Sequence, residues 1–240
     1  MSDSSPGAAV SEAGRRAQER ALAVAERLQR QGPQQTSPTT PAPGSPAGDE
    51  YVARVLRAGR VPEPYADGVW DRVRNPAVRE WTLGMDARLG GSPTPNFKLL
   101  GVGMLIVGPI GTGKSTAAAL CCSEAARLRY RPVWSYVPDL ADALHGNPTD
   151  RADLIRQQVA ADLLVFDDFG VRDLADWEIG FLDQIVEGRY RRRRPMIVTS
   201  NWTPADLVKD ERIARLADRW RERVAANVVV LAGESMRGSK

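Results

Sequence analysis

Histidine, cysteine and lysine are all scarce in this chain of 240 residues, and each shortage excludes something. One histidine, His145, and two cysteines, Cys121 and Cys122, cannot assemble a Cys/His zinc site. The cysteines are adjacent in a stretch that reads as helical, where neighbours point apart, so a structural disulfide is also excluded. They read instead as small apolar residues. No apolar run approaches the ~18 residues that a membrane helix needs. The opening Met1-Ser2-Asp3-Ser4-Ser5 lacks the basic start and apolar stretch of a secretion signal, so the expected compartment is the cytoplasm. Lysine stands only at positions 98, 114, 209 and 240. The positive charge is therefore nearly all arginine, which suits planar, bidentate contact with phosphates and carboxylates. A net charge of +3 and a pI near 9.1 permit nucleic-acid binding without requiring it.

Composition divides the chain into a tail, residues 1–48, and a core, residues 49–240. Within the tail, residues 11–31 can form a helix, with Ala17, Ala21, Val24 and Leu28 at helical spacing. The seam is thin and alanine-rich, so such a helix is marginal by itself. The following GPQQTSPTTPAPGSPAG, residues 32–48, carries five prolines and reads as a disordered, extended linker. Order is expected from Asp49, a candidate cap for a short helix carrying Val52, Val55 and Leu56 and ended by Gly59. Asn75-Pro76 should start another, with Val78, Trp81, Met85 and Leu89 on one face and Gly90-Gly91 closing it. From residue 104 onward, short apolar runs alternate with helical stretches. The expected strands are 104–107, 133–137, 163–166, 196–199 and 228–231. Continuous rather than alternating apolar runs indicate parallel strands covered on both faces, and hence a three-layer α/β domain.

One stretch carries most of the chemistry: Gly108-Pro109-Ile110-Gly111-Thr112-Gly113-Lys114-Ser115-Thr116. It matches G-x-x-x-x-G-K-[ST], follows an apolar strand and precedes an Ala- and Leu-rich helix, which is the context a phosphate-binding loop requires. The glycines let backbone N–H groups turn inward around phosphate oxygens, and the helix aims its positive end at the same point. Lys114 is expected at the β- and γ-phosphates of ATP and the Ser115 hydroxyl on Mg²⁺. A second element, LLVFDD, ends an apolar strand in two carboxylates. Asp167 is assigned to the metal and Asp168 to orienting the attacking water, although the longer Glu is the commoner residue for that second role. A third buried strand ends in Thr199-Ser200-Asn201. Asn201 either positions the attacking water or serves the turn before Thr203-Pro204, a good helix start.

Two arginine clusters remain. In the helix around residues 211–224, Ile213, Leu216, Ala217, Trp220 and Val224 form an apolar stripe, and Arg212, Arg215, Arg219 and Arg223 share a neighbouring face. That face is either solvated or offers an arginine to the ATP of another subunit. The run Arg189-Tyr190-Arg191-Arg192-Arg193-Arg194 suits a helix end or DNA phosphates equally.

Together these elements resemble the AAA+ ATPases of the DnaC-type helicase loaders and the IstB-type transposition helpers, from about Val61 to Arg237. ADLLVFDDFG followed by EGRYRRRRPMIVTSNWTPADL is more specific than the phosphate loop. The resemblance implies a P-loop NTPase sheet of five parallel strands in the order 5-1-4-3-2, which sets Asn201 between the phosphate loop and Asp167. It likens VPEPYADGVW to the stretch that helps enclose the adenine. It places Arg219, in DERIARLADRW, at the inter-subunit finger position, and Arg237, in GESMR, where nucleotide is sensed. It sets residues 139–160 where initiator-type members insert a helix that touches single-stranded DNA. The cofactors implied are ATP and Mg²⁺. The first function implied is a DNA-dependent ATPase that loads a replicative hexameric helicase onto single-stranded DNA as an ATP-dependent homo-oligomer. The alternatives are a helper of a DNA transposase, and a nucleotide-dependent binding module with little turnover.

Overall fold

The computed structural model describes residues 46–63, 69–91, 101–207, 209–224 and 227–233. The tail helix expected at 11–31 and Arg237 lie outside them. The described core is a parallel sheet with helices on both faces. Its strands are β1 (Met104–Val107), β2 (Pro132–Tyr136), β3 (Leu163–Phe169), β4 (Met196–Ser200) and β5 (Val228–Val230). They lie in the order β2-β3-β4-β1-β5, all parallel. This is the expected 5-1-4-3-2 order read from the other edge.

Strand alternation sorts the core into two layers. Met104, Ile106, Leu163, Val165 and Ile197 face one cluster, while Leu105, Val107, Leu164, Phe166 and Val198 face the other. The first layer is organised by α5 (Lys114–Arg127). This helix is buried along nearly its whole length by Ala117, Ala118, Ala119, Leu120, Cys121, Cys122, Ala125 and Ala126. Small side chains let it approach the sheet on one side and α1 (Pro46–Ala58), α2 (Val69–Arg72), α3 (Pro76–Leu83) and α4 (Met85–Leu89) on the other. Both cysteines are buried and free, as their apolar reading requires. The second layer holds α6 (Val137–Ala143), α7 (Pro148–Ala160), α8 (Asp176–Arg191), α9 (Pro204–Leu207) and α10 (Glu211–Val224).

Several sequence expectations shift. Asp49 lies in the first turn of α1 rather than capping it, and Gly59 ends that helix as expected, its N–H donating to Val55 O at 2.9 Å. Asn75 caps α3 through its side-chain oxygen, which accepts from the N–H groups of Ala77 and Val78 at 3.0 and 3.2 Å. The single helix expected to run to Leu89 breaks at Gly84 into α3 and α4. β3 continues three residues past Phe166, because Asp167 and Asp168 form an irregularity within the strand instead of ending it.

Candidate active site

The phosphate loop joins the C-terminal end of β1 to the N-terminus of α5. Gly108, Gly111 and Gly113 have φ of 152°, 86° and 89°, backbone regions open mainly to glycine. A Cβ on Gly108 would stand 2.2 Å from Leu231 O, so the loop is closed to any side chain at that point. No side chain caps α5, whose capping residue is Gly113, leaving its first-turn N–H groups aimed into the loop. Lys114 curls back over the loop, donating from Nζ to Gly108 O at 2.9 Å and Pro109 O at 2.8 Å. Thr112 Oγ1 also donates to Pro109 O, at 2.9 Å. The ammonium thus spans the ring of backbone groups that a polyphosphate would occupy. Ile110 projects from the loop and is exposed, whereas Thr116 is buried.

Beside the loop lies a cavity of about 520 Å³, lined by Arg72, Val73, Asn75, Thr112, Thr116 and Leu231. Its size suits a nucleoside. Residues 64–68 of the stretch likened to the adenine enclosure lie outside the described residues. Of the residues that line the cavity, Arg72, Val73 and Asn75 come soon after that stretch.

On the other side of the loop, β3, β4 and the first turn of α5 bring four oxygens together. Ser115 Oγ donates to Asp167 Oδ1 at 2.9 Å and lies 3.2 Å from Oδ2. Thr199 Oγ1 donates to Asp167 Oδ1 at 2.6 Å and accepts from the Asp168 N–H at 2.9 Å. A hydroxyl and a carboxylate in contact, with no softer ligand, form the oxygen donor set that Mg²⁺ favours, so these residues fit the metal. Burial drives the Asp167 carboxyl above the usual carboxylate range. Asp168 reinforces this, while hydrogen bonds from Thr199 and Ser115 and the charge of Lys114 oppose it. A bound cation would reverse that balance.

Asp168 has φ of 56°, a left-handed conformation unusual for a non-glycine residue. Gly170 follows at φ 83°, where a Cβ would lie 2.8 Å from the Trp202 ring. Asn201 is just past β4, beside this turn. Its Oδ1 is buried and has no hydrogen-bond partner. The local alternative for Asn201 is taken by Thr203, whose hydroxyl bonds Asp206 at the start of α9. Sequence reasoning treated Thr199 as an ordinary strand residue. The signal available was a polar side chain inside an otherwise apolar buried strand.

The arginine clusters separate on inspection. Arg219 lies between α10 and α8, paired with Asp183 at 3.0 Å and in close contact with Glu187. Arg212 bonds Asp173, Asp210 and Leu174 O. The side chains of Arg215 and Arg223 lie outside the described residues. In the second cluster Arg189 is fully buried and donates to the carbonyls of Gln158, Val159, Ala161, Asp162 and Pro195. It cannot meet DNA phosphates. Arg194 pairs with Asp162 and Arg191 with Glu187, so the exposed part of the run is Arg191–Arg193.

The family described as IstB-like ATP binding protein matches residues 101–240, more than half of the chain. The chain belongs to this family. An insertion sequence ATP-binding protein of Sinorhizobium fredii is 31% identical over 139 residues, 55% of this chain and 54% of that protein. The chain thus matches about half the length of this curated relative. Among solved structures, DnaI superposes with a TM-score of 0.57 at 22% identity, covering 72% of this chain and 93% of that one. The DnaC helicase loader gives 0.55 at 21% identity, covering 71% and 100%. The replication initiator DnaA, bound to AMPPCP and single-stranded DNA, gives 0.57 at 20%, covering 72% and 51%. These likenesses establish the AAA+ P-loop fold. Among the described residues no helix is long and apolar enough to cross a membrane. As an IstB-type member the chain is an ATP-binding protein.

Proposed function

We propose that this IstB-like protein hydrolyses ATP with Mg²⁺, and that the cycle switches a DNA-bound assembly of several copies. The observation carrying this reading is the contact of Ser115 with Asp167, directly beside the phosphate loop. In this reading the loop N–H groups and Lys114 hold the phosphates, and Ser115 and Asp167 hold the metal, which supplies charge neutralisation when bound. Asp168 and Asn201 orient the attacking water. Arg219 leaves Asp183 and Glu187 on assembly to reach the γ-phosphate of a neighbouring copy, and Arg237 senses nucleotide.

The sequence relationship to an insertion-sequence protein favours a transposase as the partner. The second reading is loading of a replicative hexameric helicase on single-stranded DNA. It is favoured by the α6–α7 pair, which fills the interval between β2 and β3 where initiator-type members carry their DNA-touching helix. Turnover measured with duplex and single-stranded DNA, combined with pull-down of purified transposase and helicase, separates the two. Stimulation by duplex DNA and capture of transposase support the first reading, and the converse pattern supports the second. A protein that binds ATP but never turns over, with either DNA, overturns the hydrolysis proposal.

A further inference from the structure

β3 and β4 fall out of step at the site. Phe166 pairs with Val198 and Phe169 with Ser200, so Asp167 and Asp168 together oppose the single residue Thr199. This is a β-bulge, a device that re-aims a side chain and that concentrates beside active sites. The bulge puts Asp168 in its left-handed conformation and turns its N–H inward, toward β4. A hydroxyl has one proton to give. Thr199 Oγ1 accepts from the Asp168 N–H, and its own proton goes to Asp167 Oδ1. One fully buried atom therefore ties the backbone of the second aspartate to the side chain of the first. Both contacts that Asp167 Oδ1 makes are shorter than the single 3.2 Å approach of Ser115 to Oδ2.

We infer that Thr199 is a positioning residue for Mg²⁺. Its hydroxyl locks the Asp167 carboxylate so that Oδ2 stays available to the metal's water shell, and it holds the bulge that directs Asp168. This rests on the ATPase reading above and adds a residue to it. Threonine suits both duties. Its β-branch fits the strand, and its hydroxyl fills the gap that two residues facing one would leave. Residues behind metal ligands commonly control affinity or activity by about 10–100-fold.

The test compares Thr199→Val, which keeps shape and loses the hydroxyl, with Thr199→Ser, which keeps the hydroxyl. A fluorescent ATP analogue is titrated with Mg²⁺ and, separately, bound in the presence of a chelator. Thr199→Val should need about 10–100-fold more Mg²⁺ to tighten nucleotide binding, with chelator binding unchanged and turnover reduced in parallel. Thr199→Ser should recover most of the Mg²⁺ response. A folded Thr199→Val with the wild-type Mg²⁺ demand overturns the inference, even if its melting temperature falls, because the hydroxyl would then be structural only. Should the valine variant not fold, Thr199→Ala is read by the same titration. A wild type that tightens on Mg²⁺ but never hydrolyses sinks the ATPase reading alone, and Thr199 is still judged by the binding shift. A wild type whose nucleotide binding ignores Mg²⁺ overturns both.

Discussion

Replacing Asp167 by asparagine should make the protein more stable and less active. The carboxylate is 5% exposed and held in a site whose burial and neighbouring Asp168 disfavour its charged form. Its proton affinity is therefore higher folded than unfolded. The stability that Asp167 contributes is then complete below its unfolded value, near pH ~4, and is lost as pH rises through the higher folded value. At pH 7.5 without magnesium the wild type bears the whole cost of an ionised, buried carboxylate. Asparagine keeps the shape and can still accept from Ser115 and Thr199, but carries no charge. Relief of functional strain of this kind is worth about 0.5–2 kcal/mol. For a domain of this size that raises the melting temperature by about 1–8 °C. The gain should shrink as pH is lowered from 7.5 toward 4, because protonating the wild-type carboxyl removes the same charge. With ATP and Mg²⁺ the order should reverse, since ligand bound only to the folded state stabilises the wild type more. Loss of a metal-holding carboxylate should reduce turnover about 10²–10³-fold, matching several kcal/mol of charge stabilisation. Melts at both pH values, with and without ligand, check the stability half. An asparagine variant less stable than wild type at pH 7.5 in the metal-free state would refute the reasoning.

Lys114→Ala should abolish hydrolysis while the fold persists in circular dichroism, because its ammonium is held by the loop carbonyls of Gly108 and Pro109 rather than within the apolar core. Arg219→Ala should bind ATP normally yet hydrolyse about 10³-fold more slowly, and mixing it with Lys114→Ala protein should restore part of the rate. Wild-type turnover in the arginine variant would return Arg219 to a purely structural tie to Asp183 and Glu187. Arg189→Met should lower unfolding free energy by about 3–5 kcal/mol in urea titrations, since several buried carbonyls lose their donor together. Changing Arg191, Arg192 and Arg193 to alanine should flatten the salt dependence of DNA binding if these exposed arginines meet phosphates, and an unchanged slope in a filter-binding assay would exclude them.

Much of this architecture could be read from residues alone because its signals are local. A glycine pattern between a strand and a helix places the phosphate loop, and five apolar runs place five strands within a residue or two, save the C-terminal end of β3, which runs three residues further. Asn75-Pro76 declares a helix start, and the structure supplies the cap. What stayed illegible depends on pairing across the sheet. Nothing in LLVFDD says that its two aspartates share one partner, because a bulge exists only relative to the neighbouring strand. The arginine run looked uniform, yet Arg189 faces inward along α8 and Arg191 outward, since neighbours on a helix point in different directions. The break at Gly84 was hidden by an apolar stripe that continues through it.

The entry to the phosphate loop has one further consequence. Leu231 donates its N–H to Val107 O at 2.8 Å, and its own carbonyl lies where any Cβ on Gly108 would go. The loop and the chain leaving β5 therefore touch through backbone atoms, which cannot rotate aside as side chains can. The floor of the phosphate loop is thus braced by the residue that follows β5, and a substitution that loosens the Leu231–Val107 pairing is expected to weaken nucleotide binding although it touches no phosphate-binding group.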